Sequence, residues 1–145
     1  MSAEKSNCVL PADRHHGLTE GIRGLLETMF DAVVKVADVP SLQESAVRLE
    51  PSMAVVDLAL ARGDGLGGVR RPRARCPELK LNLLSVHDEA RACRATLEAG
   101  ADAFVLKRAI ATDLLPAIKA AQAGMVFVTP GVWGPALSSG GAASI

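Results

Sequence analysis

The chain predicts an α/β fold in which a five-stranded parallel sheet is flanked by five helices. Short apolar runs of strand length alternate five times with longer segments of helical period, the pattern a parallel sheet covered by helices leaves in a sequence. Asp13, Asp57, Ser85 and Lys107 each end or follow one of the apolar runs, where ligands bind in such sheets. The length of 145 residues suits one domain, and such a domain buries roughly 70% of the surface its unfolded chain exposes.

In chain order, β1 is expected from Asn7 to Ala12, and α1 from about His16 to Met29 with Leu18, Ile22, Leu25 and Leu26 on one face. Next come β2 from Ala32 to Ala37, α2 from Ser41 to Leu49, and β3 from Met53 to Leu58. A Gly-rich turn, Ala61-Arg62-Gly63-Asp64-Gly65, opens α3, which runs to Arg75 and is closed by Pro77. Leu79 to Val86 reads as β4, and Glu89 to Ala99 as α4, with Gly100 as its C-cap. Ala103 to Leu106 is β5. For α5, Thr112 and Asp113 supply an N-cap and a helix-start charge, Pro116 falls near the first turn, and Gly124 stops the helix after Ala123. From Val126 the periodicity is lost, so the expected organisation is a tail at 1–7, a domain at 8–129, and a Ser/Gly/Ala-rich tail or linker at 130–145.

Composition excludes several classes of function. Sixteen Lys and Arg balance sixteen Asp and Glu, with a pI near 6.8, so the basic excess of a nucleic-acid binder is missing and no nucleic acid contact by this domain is expected. The aromatics are Phe30, Phe104, Phe127 and Trp133, too few for base-stacking platforms. Cys8, Cys76 and Cys93 are odd in number and far apart, which suits neither a disulfide framework nor a zinc site and points to a reducing cytoplasm. Met1 to Asn7 is polar, and the longest apolar stretch, Met53 to Ala61, is broken by Asp57, so no membrane span is expected.

Asp57 is the sharpest chemical signal, because a carboxylate inside Met53-Ala54-Val55-Val56-Asp57-Leu58 is costly to desolvate without a partner, and Lys107 is the candidate partner. An Asp so placed is suited to attack a phosphoryl donor and form an acyl phosphate, while a Lys and the Ser85 hydroxyl neutralise and hydrogen-bond the added oxygens. The same residues also make sense as a structural ion pair at the sheet edge. His15, His16 and His87 read as solvated loop residues, and Gly63-Asp64-Gly65 as a turn rather than a phosphate cradle. Arg70, Arg71, Arg73 and Arg75 read as a solvated helix face or an anionic docking patch.

Four stretches together carry a family resemblance. They are Val9-Leu10-Pro11-Ala12-Asp13-Arg14-His15, Val55-Val56-Asp57-Leu58 with Gly63-Asp64-Gly65-Leu66, Leu83-Leu84-Ser85-Val86-His87-Asp88, and Ala99-Gly100-Ala101-Asp102-Ala103-Phe104-Val105-Leu106-Lys107. In this order and spacing the chain resembles a receiver domain of two-component response regulators, of the NarL/FixJ (LuxR-type) branch, over about Cys8 to Pro130. The resemblance implies a CheY-like, flavodoxin-like doubly wound sheet with strand order 2-1-3-4-5. It assigns Asp57 as phosphoacceptor, Ser85 as the hydroxyl that senses the phosphoryl group, Phe104 as an aromatic switch, and Lys107 as the phosphate-contacting lysine. It also implies Mg²⁺ on Asp13, Asp57 and the Ala59 backbone carbonyl, a sensor histidine kinase as donor, and a homodimer through the α4-β5-α5 face. Transcription is then controlled through an output domain, and self-phosphorylation and dephosphorylation are the only, weak, chemistry of the domain.

The departures are specific. The family has two adjacent acids after the first strand, and where the second would ligate Mg²⁺ directly this chain has Arg14, which removes a ligand and adds a repelling charge. If Arg14 pairs with Asp57 instead, the chain is a pseudo-receiver, a phosphate-independent docking module. Pro11 in a central strand, Pro72 within α3 and Asn82 in an apolar β4 each break a local rule and predict a relaxed or destabilised domain.

Overall fold

The computed structural model describes residues 6–14 and 16–132. His15, the side chains of His16 and Leu18, and the segments 1–5 and 133–145 with Trp133 lie outside the described residues. The strands are β1 (Ser6–Ala12), β2 (Ala32–Val33), β3 (Pro51–Asp57), β4 (Lys80–Ser85), β5 (Ala103–Leu106) and β6 (Phe127–Val128). All pair in parallel, in the order β2-β1-β3-β4-β5-β6. The helices are α1 (His16–Glu27), α2 (Val39–Leu49), α3 (Gly63–Arg75), α4 (Ala90–Glu98) and α5 (Ile110–Gln122). A four-residue helical turn, Leu58–Ala61, joins β3 to α3, and a 3₁₀ turn, Lys107–Ala109, joins β5 to α5.

Strand alternation splits the apolar residues into two cores, one on each face of the sheet. Met53 and Val55 of β3 join Val9, Ala103 and Val105 beneath Ile22 and Leu26 of α1 and Leu114 and Ile118 of α5. Ala54 and Val56 join Leu10, Leu81, Leu83 and Phe104 beneath Leu42 of α2, Val69 of α3 and Cys93 of α4. The thiols of Cys8, Cys76 and Cys93 are free, and burial pushes that of Cys93 up to about 12.

The expected order of five strands is present, with a sixth added at the β5 edge. Thr129 secures that edge: its N–H donates to the Phe104 carbonyl (3.0 Å) and its Oγ1 accepts from the Leu106 N–H (3.0 Å). Val132 beyond it is buried in the core. By contrast β2 stops at Val33 rather than Ala37, and the chain returns to the sheet only at the isolated bridge between Val36 and Ala12. This short β2 accommodates Pro11. The Pro11 carbonyl accepts from the Val36 N–H (3.0 Å) on the β2 side. A strand residue's nitrogen and oxygen face the same neighbour, so its missing donor falls where β2 has already ended.

Two expectations about α5 are corrected. The helix begins at Ile110, because the 3₁₀ turn at Lys107–Ala109 runs straight into it, so Thr112 is not the N-cap. Thr112 instead sits in the first turn, its Oγ1 donating to the Ala109 carbonyl (3.2 Å). Pro116 is therefore the seventh helical residue, tolerated on an exposed side where water can reach the carbonyl it leaves unpaired. In α3, Asp64, Gly65 and Leu66 all take left-handed φ values of 58°, 64° and 65°, so the regular helix starts only after them. Pro72 stands mid-helix and buried, as expected, and its carbonyl still accepts the Cys76 N–H (2.8 Å).

Three of the four α3 arginines, Arg70, Arg71 and Arg73, are engaged within the chain. Arg70 Nε donates to the Gly65 carbonyl (2.9 Å) and Arg71 pairs with Asp64, both holding the left-handed turn. Arg73 reaches across to the α4–β5 connection, donating to the Gly100 carbonyl (3.0 and 2.9 Å) and to Asp102 Oδ2 (2.7 Å), which also accepts the Leu81 N–H (2.9 Å).

Asn82 is fully buried, flanked in the sheet by Val55 and Ala103, and among the described residues neither its Oδ1 nor its Nδ2 has a hydrogen-bond partner. An unsatisfied buried amide costs about 1–3 kcal/mol. Asn82→Leu, of similar volume, is therefore expected to stabilise the domain by about 1–2 kcal/mol. The check is the urea midpoint, which rises on this account; an unchanged or lower midpoint means that the amide is satisfied.

Candidate functional site

The site is built at the carboxyl edge of the sheet. Register places Ala12 beside Val56 and Asp57 beside Leu84, so the residues that follow β1 and end β3 and β4 come together at one edge. Asp57 closes β3 and caps the helical turn Leu58–Ala61, its Oδ1 accepting the Ala59 N–H (3.1 Å). Lys107, first residue after β5, places Nζ 3.1 Å from the same Oδ1. The Asp57 side chain is only 7% exposed and that of Lys107 28%, so the expected ion pair exists and is largely desolvated. Among the described residues both of these bonds fall on Oδ1, and Oδ2 takes neither.

Asp13 is buried at the end of β1, with Lys35 Nζ donating to its carbonyl (3.0 Å). Arg14 does not pair with Asp57. Its Nη2 donates to the Ala59 carbonyl (3.3 Å), so Arg14 and Asp57 hold opposite ends of one residue. Ser85 is buried at the end of β4, and its hydroxyl accepts the His87 N–H (2.8 Å) and donates to the His87 carbonyl (3.0 Å). The hydroxyl is thus engaged with the β4–α4 loop. The His87 ring is not simply solvated: its Nε2 lies 3.1 Å from Arg62 Nη1. Phe104 is wholly buried in the core beneath α2, α3 and α4.

The residues present do not fit Mg²⁺. That ion demands near-octahedral oxygen ligands at about 2.1 Å, and Ala59, the carbonyl expected to serve it, already accepts from a guanidinium. Asp13 and Asp57 bring two negative charges, while Arg14, Lys35 and Lys107 bring three positive ones through the contacts above. The edge is therefore suited to an anion rather than to a divalent cation. Among the described residues no group of three or more His, Cys, Asp or Glu is arranged to hold a metal, and no helix is long and apolar enough to cross a membrane.

Sequence reasoning did not single out Arg62, Thr129 or Lys35. Lys35 falls within the strand expected at 32–37 but lies beyond the shorter β2, and Arg62 lies in the Gly-rich turn, so neither had a pattern that pointed to the site. Thr129 follows Met125-Val126-Phe127-Val128, whose β-branched and aromatic content was the available signal for β6.

A doubly wound parallel sheet with an Asp–Lys pair at the carboxyl edge, and a buried hydroxyl on the intervening strand, is the arrangement of a signalling domain rather than of a classical enzyme. The chain belongs to the response regulator receiver domain family, which matches residues 9–119. It is 27% identical over 122 residues to the transcriptional regulatory protein DegU of Brevibacillus brevis, covering 83% of this chain and 52% of that one. It is 30% identical over 116 residues to the transcriptional activator protein ExaE of Pseudomonas putida, covering 78% and 50%. The chain thus spans about half the length of these relatives. Among solved structures, a LuxR-family two-component response regulator from Aurantimonas superposes with a TM-score of 0.78 at 25% identity, covering 88% of this chain and 93% of that one. The isolated apo receiver domain of RcsB from Salmonella enterica gives 0.75 at 27% identity, covering 92% and 96%.

Proposed function

We propose that this receiver domain is phosphorylated on Asp57 by a sensor histidine kinase and passes the change to its α4-β5-α5 face, controlling transcription through an output domain like those of its relatives. The observation that carries the reading is the desolvated Asp57–Lys107 pair at the sheet edge. Asp57 Oδ2 attacks the phosphorus of the phosphohistidine, the new O–P bond forms, and the P–N bond breaks with its electron pair going to the imidazole. Lys107 neutralises an added oxygen, and the Ser85 hydroxyl leaves His87 to bond another. That exchange frees the β4–α4 loop, which with repositioning of Phe104 reshapes the face made by α4, β5 and α5, where a homodimer forms.

A second reading, a phosphate-independent docking module in a cytoplasmic signalling pathway, is favoured by one observation, the Arg14 bond to Ala59. Intact mass after incubation with acetyl phosphate separates the two. A single phosphoryl adduct on the wild type that vanishes in Asp57→Asn is the expected result. No adduct on a chain folded by circular dichroism, with partner binding unaffected by the substitution, favours the docking module.

A further inference from the structure

We propose that the site takes its phosphoryl group without a metal ion, the Arg14 guanidinium standing where a divalent cation would. The inference rests on Asp57 being the phosphoacceptor and adds which cation serves it. Its basis is the position of Arg14: Nη2 is bonded to the Ala59 carbonyl (3.3 Å), while the N–H of the same Ala59 holds Asp57 Oδ1 (3.1 Å). One residue thus fixes the guanidinium and the carboxylate relative to each other. Lys107 Nζ sits 3.1 Å from Oδ1, so a group added at Oδ2 has one cation on the β5 side and another on the β1 side. Lys35, on the Asp13 carbonyl (3.0 Å), adds to the positive balance.

A guanidinium suits this duty because it is always charged and presents a planar fork of donors to phosphoryl oxygens. It does not alter the chemistry. With acetyl phosphate as donor, a carboxylate oxygen of Asp57 forms the new O–P bond, the bridging O–P bond breaks, and acetate leaves with the electron pair, with no change of oxidation state. Arg14 is exposed, so its replacement leaves the core intact.

The test compares the rate of adduct formation from acetyl phosphate, by intact mass, in EDTA and in MgCl₂, for the wild type, Arg14→Ala and Arg14→Asp. Titration of each protein with MgCl₂ alone in a calorimeter gives a second readout. The wild type is expected to react at rates within about twofold in the two buffers, whereas a reaction that needs a metal falls roughly a hundredfold or more when it is removed. Arg14→Ala is expected to lose the reaction in EDTA, and Arg14→Asp to react only with MgCl₂ and to show a binding heat that the wild type lacks. A wild-type adduct that requires MgCl₂ overturns the inference and leaves Asp57 as phosphoacceptor. An adduct on Arg14→Asp alone also overturns it, because the guanidinium then blocks the site. No adduct on any of the three defeats the phosphoacceptor reading itself.

Discussion

Phe104→Ala is expected to destabilise the domain by about 3–5 kcal/mol, the usual cost of emptying a fully buried aromatic site. Phe104 is fully buried on β5, so the void opens on the sheet face beneath α2, α3 and α4. Leu10, Leu81 and Leu83 share that core and cannot close over the gap without moving strands. Such a loss is a large share of the roughly 5–15 kcal/mol that a domain possesses. Phe104→Leu keeps most of the volume and is expected to cost about 1 kcal/mol. Urea denaturation of the two variants checks the pair, and equal costs mean that the core collapses freely around position 104.

Lys107→Met is expected to destabilise by about 2–3 kcal/mol, because it strands the Asp57 carboxylate in a desolvated position. The figure lies below the 3–5 kcal/mol typical of a broken buried pair, since Lys107 is 28% exposed and the Ala59 N–H remains on Asp57. The reverse change is milder: Asp57→Asn leaves an ammonium that can swing into water. The double variant Asp57→Asn/Lys107→Met is accordingly expected to be more stable than Lys107→Met alone. A double variant no more stable than the single one shows that the carboxylate was not the cause of the loss.

Much of this fold is written in local patterns. The alternation of Val9, Met53, Val55, Ala103 and Val105 with Leu10, Ala54, Val56 and Phe104 assigns residues to two cores, and the sheet places them as that alternation requires. The strand-end positions of Asp57, Ser85 and Lys107 were equally legible, since a charge at the end of an apolar run has few places to go. What the sequence did not reveal depends on distant partners. Arg73 belongs with Gly100 and Asp102 rather than with its own helix face. Pro11 is accommodated in β1 because β2 is short. Thr112 looked like a cap because the 3₁₀ turn that replaces it has no signature of its own. Arg14 is legible as a departure, but whether it turns to Asp57 or to Ala59 is set by the loop after β3, 45 residues further along the chain, where no helical repeat reports it.

We propose that a phosphoryl group on Asp57 reshapes the α4-β5-α5 face. Amide NMR spectra of the domain, with and without the phosphoryl mimic beryllium fluoride, test it most directly. The expected result is that the signals of Asp57, Ala59, Ser85, His87 and Lys107 shift together with those of the exposed α4 residues Arg91 and Arg94, and that Asp57→Asn abolishes every shift. Signals that stay in place on the wild type, or that move alike in Asp57→Asn, contradict the account.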